Sequence, residues 1–95
     1  MGIGMSFDIR NDPSARRFDT VVDGQHCELD YRLDGKVMTI THTGVPVAVE
    51  GRGIASALTQ AAMEAARSAG WRVVPACAYA ASWLRRHPEF ADLSA

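Results

Sequence analysis

The apolar residues of this chain change period once, and they do so at a glycine turn. Before it, Cys27, Leu29, Tyr31 and Leu33 alternate with Glu28, Asp30, Arg32 and Asp34. That is the period of two belonging to a strand with one buried face. After it, Ile54, Leu58, Ala61, Ala62, Ala65, Ala66 and Ala69 recur mainly at helical spacing. Between the two patterns lies Glu50-Gly51-Arg52-Gly53. A chain that switches period in this way lays a helix against strands it has just formed. The expected class is therefore α/β in the α+β sense, with one mixed sheet and helices packed on it.

The strands can be placed from their turns. Asp23-Gly24 and Asp34-Gly35 are tight-hairpin dipeptides. After the second, Met38, Ile40 and His42 alternate with Val37, Thr39, Thr41 and Thr43, which puts His42 on the apolar face. With Phe18 to Val22 added, residues 18–43 read as a three-stranded antiparallel meander. Gly44-Val45-Pro46 then bends the chain, since proline cannot donate to a ladder. Val47, Ala48 and Val49 are expected to resume the strand. A helix is expected from Arg52 to Ala69, ended by Gly70. A short buried strand over Trp71 to Val74 follows, then a second helix from Ala78 to Arg86 stopped by Pro88, then a tail over 89–95. A strand, helix, strand unit implies a parallel pair.

Ninety-five residues suit one domain, with a core over about 18–93 and a flexible start over 1–8. Ten basic and 11 acidic residues leave a net charge of −1. No bulk field favours nucleic acid or a membrane surface, so neither is expected as a partner. No apolar run reaches the ~20 residues of a membrane span. Met1-Gly2 with Ser6 fits a short acylation pattern, without the polybasic patch a stable anchor needs. No signal peptide is visible. Two cysteines do not make a disulfide framework, so both are expected free in a reducing cytoplasm. They stand 50 positions apart, and no histidine pair has ligand spacing, so no metal is expected.

The glycine turn carries the first chemistry. Its glycines and the start of the following helix aim several N–H groups at one point, a natural seat for a phosphate. Arg52 adds a charge and Ser56 a hydroxyl. The nucleoside-triphosphate loop ending in Gly-Lys-Ser/Thr is missing, and Ser56 replaces the last glycine of a dinucleotide fingerprint. The glycines equally serve simply to turn the chain into a helix. Cys77, at the start of the second helix, is either a small core hydrophobe or a thiol set out for chemistry. His42 is either a core histidine or a proton carrier facing Cys77 across a cleft. Arg85 and Arg86 complement a helix C-terminus or reach a ligand phosphate. Tyr79 reads as a core aromatic or a general acid.

Three segments together carry a resemblance. They are His42-Thr43-Gly44-Val45-Pro46, Gly51-Arg52-Gly53-Ile54-Ala55, and Pro75-Ala76-Cys77 with Arg86-His87-Pro88-Glu89-Phe90. The chain resembles the compact single-domain branch of the GNAT superfamily of N-acetyltransferases over roughly 20–93. The resemblance implies a GNAT fold shortened at its N-terminal end. It implies acetyl transfer from acetyl-CoA to an amine, or, as an alternative, a non-catalytic coenzyme A-binding module. The superfamily motif Gln/Arg-x-x-Gly-x-Gly/Ala ends here as Gly53-Ile54-Ala55, with Glu50 departing from its first position. The resemblance assigns the pyrophosphate to Gly51, Arg52, Gly53, Ile54, Ala55 and Ser56. It assigns the pantetheine arm to the main chain of Val47, Ala48 and Val49, catalysis to Cys77 with His42, and the adenine end to Arg85 and Arg86. The amine acceptor is unnamed, and an oligomer is compatible with it.

Overall fold

The computed structural model describes residues 7–95. Met1, Gly2 and Ser6, which carry the acylation pattern, lie outside the described residues. Of the start expected to be flexible, Phe7 packs on the core, and the Asp8 carbonyl accepts the Thr20 hydroxyl at 2.9 Å.

Five strands form one mixed sheet in sequence order: β1 (Arg10–Asp12), β2 (Arg17–Val22), β3 (Gln25–Asp34), β4 (Val37–Gly44) and β5 (Arg72–Pro75). The first four are antiparallel neighbours, and β4 pairs with β5 in parallel. Helix α1 (Ile54–Ala69) makes the crossover, and α2 (Ala78–Arg86) follows β5. The expected meander is present and gains β1, which its three polar residues do not announce. The second hairpin turns on Gly35 and Lys36, one position later than the dipeptide suggests.

The helices cover one face of the sheet. Alternation fills that face with Phe18, Cys27, Leu29, Tyr31, Met38 and Ile40, all buried. From α1 come Ile54, Leu58, Thr59, Ala62, Met63 and Ala66, and Trp83 from α2 is fully buried. Burying a side chain the size of Leu58 is worth about 1.5–3 kcal/mol. Gly70 closes α1 at φ +76, with its N–H on Arg67 and the Trp71 N–H on Ala66 at 2.8 Å. This is a Schellman end, which a residue without Cβ enters freely.

Two expectations fail beyond β4 and α2. Val47–Val49 is a 3₁₀ turn, not a resumed strand. Pro46 starts it, and the Val49 and Glu50 N–H groups bond back to Pro46 and Val47. The segment after Pro88 is no loose tail: Pro88–Leu93 is 3₁₀ helix, Phe90 and Leu93 are buried, and the Ala95 N–H reaches the Val73 carbonyl at 3.0 Å. Arg67 holds this segment through Asp92 and the Glu89 carbonyl. No helix of the described residues is long and apolar enough to cross a membrane.

Candidate active site

The site is built where β4 and β5 part. Their pairing ends at Ile40 and Pro75. The N–H groups of Ala76 and Cys77 both close on the Ile40 carbonyl, at 3.0 and 3.1 Å. Pro75 has no N–H to offer, and the chain turns away into α2. Residues Thr41 to Gly44 continue with β3 on one side only, so β4 has an open edge beyond Ile40. In parallel sheets, crevices of this kind at the carboxyl ends of strands are where ligands bind.

A bulge lies at the same level. Tyr31 pairs with Ile40 but Asp30 pairs with His42, so Thr41 is an extra residue in β4. The Thr41 hydroxyl bonds the Asp30 carbonyl at 3.3 Å. An extra residue reverses the alternation of everything after it. His42 is thereby turned out to the exposed face, and Thr43 takes the inward position. His42 does not share a face with Ile40, and it does not meet Cys77. Its Nε2 instead lies 3.8 Å from Glu28, over Gly44, where a Cβ would stand 2.9 Å away. The partner of Cys77 is Thr43, with Oγ1 and Sγ 3.5 Å apart.

Cys77 caps α2. Its backbone is extended, and Sγ accepts the Ala80 N–H at 3.4 Å, in the place a serine oxygen takes at other helix starts. The sulfur is half-buried. Cys27 differs: it is fully buried inside the sheet, and burial, with the Glu28 charge adding, pushes its thiol up. Both thiols are free.

A cavity of about 430 Å³ runs from this parting to the start of α1. Its walls are Thr43, Val45, Val49, Glu50, Gly51, Gly53, Ile54, Ala55, Ser56 and Tyr79. Gly51 and Gly53 both stand at φ +81, with open space where a Cβ would be. Gly53 is the N-cap of α1 and offers no side chain to its first-turn N–H groups, which are left for an anion. Of the sequence-derived set, Val49, Gly51, Gly53, Ile54, Ala55 and Ser56 line the cavity. Val47, Ala48, Arg52, Arg85, Arg86, His42 and Cys77 do not, although Cys77 touches the lining residue Thr43. Val47 is 81% exposed. Arg52 is bound to Asp23 at 2.7 Å. Arg86 donates to Ser82, and with Arg85 it lies at the far end of α2 from Tyr79. Thr43, Val45 and Glu50 were missed as lining residues. Only a reader allowing for the bulge would have put Thr43 inward.

The outer sheet face collects charge. Glu28, Asp30 and His42 present possible metal-ligand atoms within 4.8 Å of one another, from the two strands of one hairpin. Asp30 is already held by Arg17 at 2.7 Å. Beside them, Asp19 is buried under Arg10 and His26. Burial alone would raise its carboxyl, but these two partners hold it below the usual range.

A parting of two parallel strands, with a glycine turn opening the crossover helix beneath it, matches the family expected from the sequence. The model of the GCN5-related N-acetyl-transferase family fits residues 17–93. The chain belongs to that family. The fold agrees: the solution NMR structure of a GCN5-like protein from Staphylococcus aureus is similar at TM-score 0.74 and 25% identity, over 94% of this chain and 88% of that one. In this GCN5-related chain the GNAT core, expected to be shortened at its N-terminal end, has the five strands and two α-helices described above.

Proposed function

We propose that the protein transfers the acetyl group of acetyl-CoA to an amine, with the cavity between β4 and α1 as the donor site. The observation that carries this reading is the uncapped start of α1, opened by Gly51 and Gly53, in one cavity with Thr43, the neighbour of Cys77. The free N–H groups of that turn and the Ser56 hydroxyl suit the two phosphates of a pyrophosphate. The pantetheine arm, assigned from sequence to Val47 to Val49, is better served by the open edge of β4, because the Val49 and Glu50 N–H groups are spent inside their own turn. Arg85 and Arg86 stand outside the cavity, at the end of α2, where they would meet only the adenosine end of a ligand that emerges from it.

Acetyl-CoA supplies an activated acyl group as a thioester. In direct transfer, the amine loses its proton to a base and attacks the carbonyl carbon. The C–S bond then breaks, and the leaving thiolate takes a proton, for which the donor is Tyr79, the phenol among the hydroxyl residues Thr43, Ser56 and Tyr79 that line the cavity. In the covalent route, the Cys77 thiol loses its proton to a base and its sulfur attacks the carbonyl carbon; the bond to the coenzyme A sulfur breaks, and that thiolate takes the proton and leaves. The amine then attacks acetyl-Cys77, and the Cys77 sulfur departs with the proton the amine gives up. Thr43 and the Ala80 N–H hold the sulfur in place for either role. His42 faces the other side of β4, so any proton it takes comes from that side and not from Cys77. The test is acetylation of a panel of amines, followed as coenzyme A release, with intact mass read in parallel. Cys77→Ala is expected to lower turnover more than His42→Ala. An acetyl adduct on Cys77 selects the covalent route. Tight acetyl-CoA binding with no acceptor ever acetylated would replace this reading by the binding module.

A further inference from the structure

Ser56 is served from behind by a residue of the other helix. Trp83 is fully buried, and its indole N–H points at Ser56 Oγ, 2.8 Å away. An indole nitrogen only donates, so Ser56 is the acceptor in this bond. A serine hydroxyl has a single proton, and that proton must go elsewhere. Within α1 the usual outlet is a carbonyl one turn back. Thr59 takes it, donating to the Ala55 carbonyl at 2.8 Å. The carbonyls one turn back from Ser56 are those of Arg52 and Gly53, at the helix start, and the Ser56 hydroxyl bonds neither; its one side-chain hydrogen bond is the one it accepts from Trp83. Ser56 also lines the cavity.

The indole is held rigidly. The His87 ring stacks on it at 3.6 Å between centroids and 9° between planes, and His87 Nδ1–H donates to the Trp83 carbonyl at 2.7 Å. The Phe90 ring packs tilted against the indole, at 5.6 Å between centroids and 38° between planes. Trp83 cannot swing away to release the Ser56 lone pair without breaking these contacts.

We infer that Trp83 is a positioning residue: by occupying the Ser56 oxygen from the core side, it turns the Ser56 O–H into the cavity and makes Ser56 a fixed hydrogen-bond donor for a phosphate oxygen of the bound ligand. This rests on the acetyl-CoA reading of the cavity. It adds a selectivity: the site accepts an oxygen that receives a hydrogen bond at this point and disfavours a group that gives one.

The experiment is a double-mutant cycle on acetyl-CoA affinity by calorimetry, with folding checked by circular dichroism. The variants are Ser56→Ala, Ser56→Thr, Trp83→Phe, and β-(3-benzothienyl)alanine in place of Trp83, which keeps the shape of indole and lacks its N–H. Loss of one hydrogen bond to a charged oxygen weakens binding about tenfold or more. Ser56→Ala and each Trp83 replacement are expected to show that loss singly, Ser56→Thr to keep most of the affinity, and a Trp83 replacement to add nothing once Ser56 is alanine. A Trp83 that acts only through packing would weaken binding equally in both backgrounds, and that result overturns the inference. So does unchanged affinity in Ser56→Ala or in the benzothienyl protein, whose near-isosteric ring keeps the test open where Trp83→Phe does not fold. If the unsubstituted protein binds no acetyl-CoA, the donor-site reading fails and this inference falls with it. If it binds and the variants match it, only this inference fails.

Discussion

Replacing Gly53 by alanine separates the shape of the anion turn from the stability of the fold, because the structure supplies a matched control. Gly53 opens α1 at φ +81 and Gly70 closes it at φ +76. At both, a Cβ would meet nothing within 4 Å. Neither substitution clashes, so the cost is backbone strain alone. A left-handed conformation costs a residue with a Cβ about 1–2 kcal/mol. Part of that is returned, because alanine restricts the unfolded chain by about 0.4–1 kcal/mol more than glycine. The net is about 1 kcal/mol at each site, a drop of about 4–8 °C in Tm for a chain of this size. Urea unfolding followed by tryptophan fluorescence reads it, since Trp83 is buried and Trp71 partly so. The two variants should lose equal stability. They should differ in acetyl-CoA titration: Gly70→Ala unchanged, Gly53→Ala weaker by about fivefold, the factor matching 1 kcal/mol. Gly53→Asn, which tolerates the left-handed region, should recover part of both losses. Equal affinity losses at Gly53 and Gly70, or no stability loss at either, would refute the reasoning.

Two further outcomes follow from burial and charge. A thiol reagent at neutral pH is expected to label Cys77 in the folded protein and Cys27 only after unfolding; fast labelling of both would contradict the buried position of Cys27. The folded carboxyl of Asp19 titrates below its unfolded value, so its contribution to stability is present above the ordinary aspartate range and is lost as pH falls through the folded pKa. The gap in urea midpoint between the unsubstituted protein and Asp19→Asn should therefore shrink between neutral pH and about pH 3, and a gap that grows on acidification would show the reverse linkage.

Much of the fold was legible because alternation and helical spacing are properties of neighbouring residues. The range Ala78–Arg86 was read to the residue, since Cys77 and Pro88 bracket it. Strand β1 was not legible: Arg10, Asn11 and Asp12 carry no alternation, and pairing with β2 supplies what order they have. The reading of Val47–Val49 failed because three apolar β-branched or small residues look like strand, while the constraint at Pro46 favours a turn. His42 shows the deepest limit. Its place in the alternation was read correctly up to Ile40, and one unpaired residue at Thr41 then exchanged His42 for Thr43. Nothing in Thr-Ile-Thr-His-Thr marks that insertion, because a bulge is decided by the register of two strands, not by either alone. The glycine turn, by contrast, is set by neighbouring residues, and Gly51 and Gly53 line the cavity while Arg52 between them does not.

The two margins of the sheet have a consequence for how copies of this protein can meet. One margin is β1, three residues long and followed at once by Pro13. The other is β5, whose outer side is taken by the protein's own Ser94 and Ala95, with Arg72 clasping the Ser94 carbonyl at 2.7 Å. A neighbour seeking to extend the sheet finds a stub at one side and an occupied ladder at the other. Strand addition is therefore hindered at both outer margins, and the edge left open to it is the short stretch of β4 from Thr41 to Gly44.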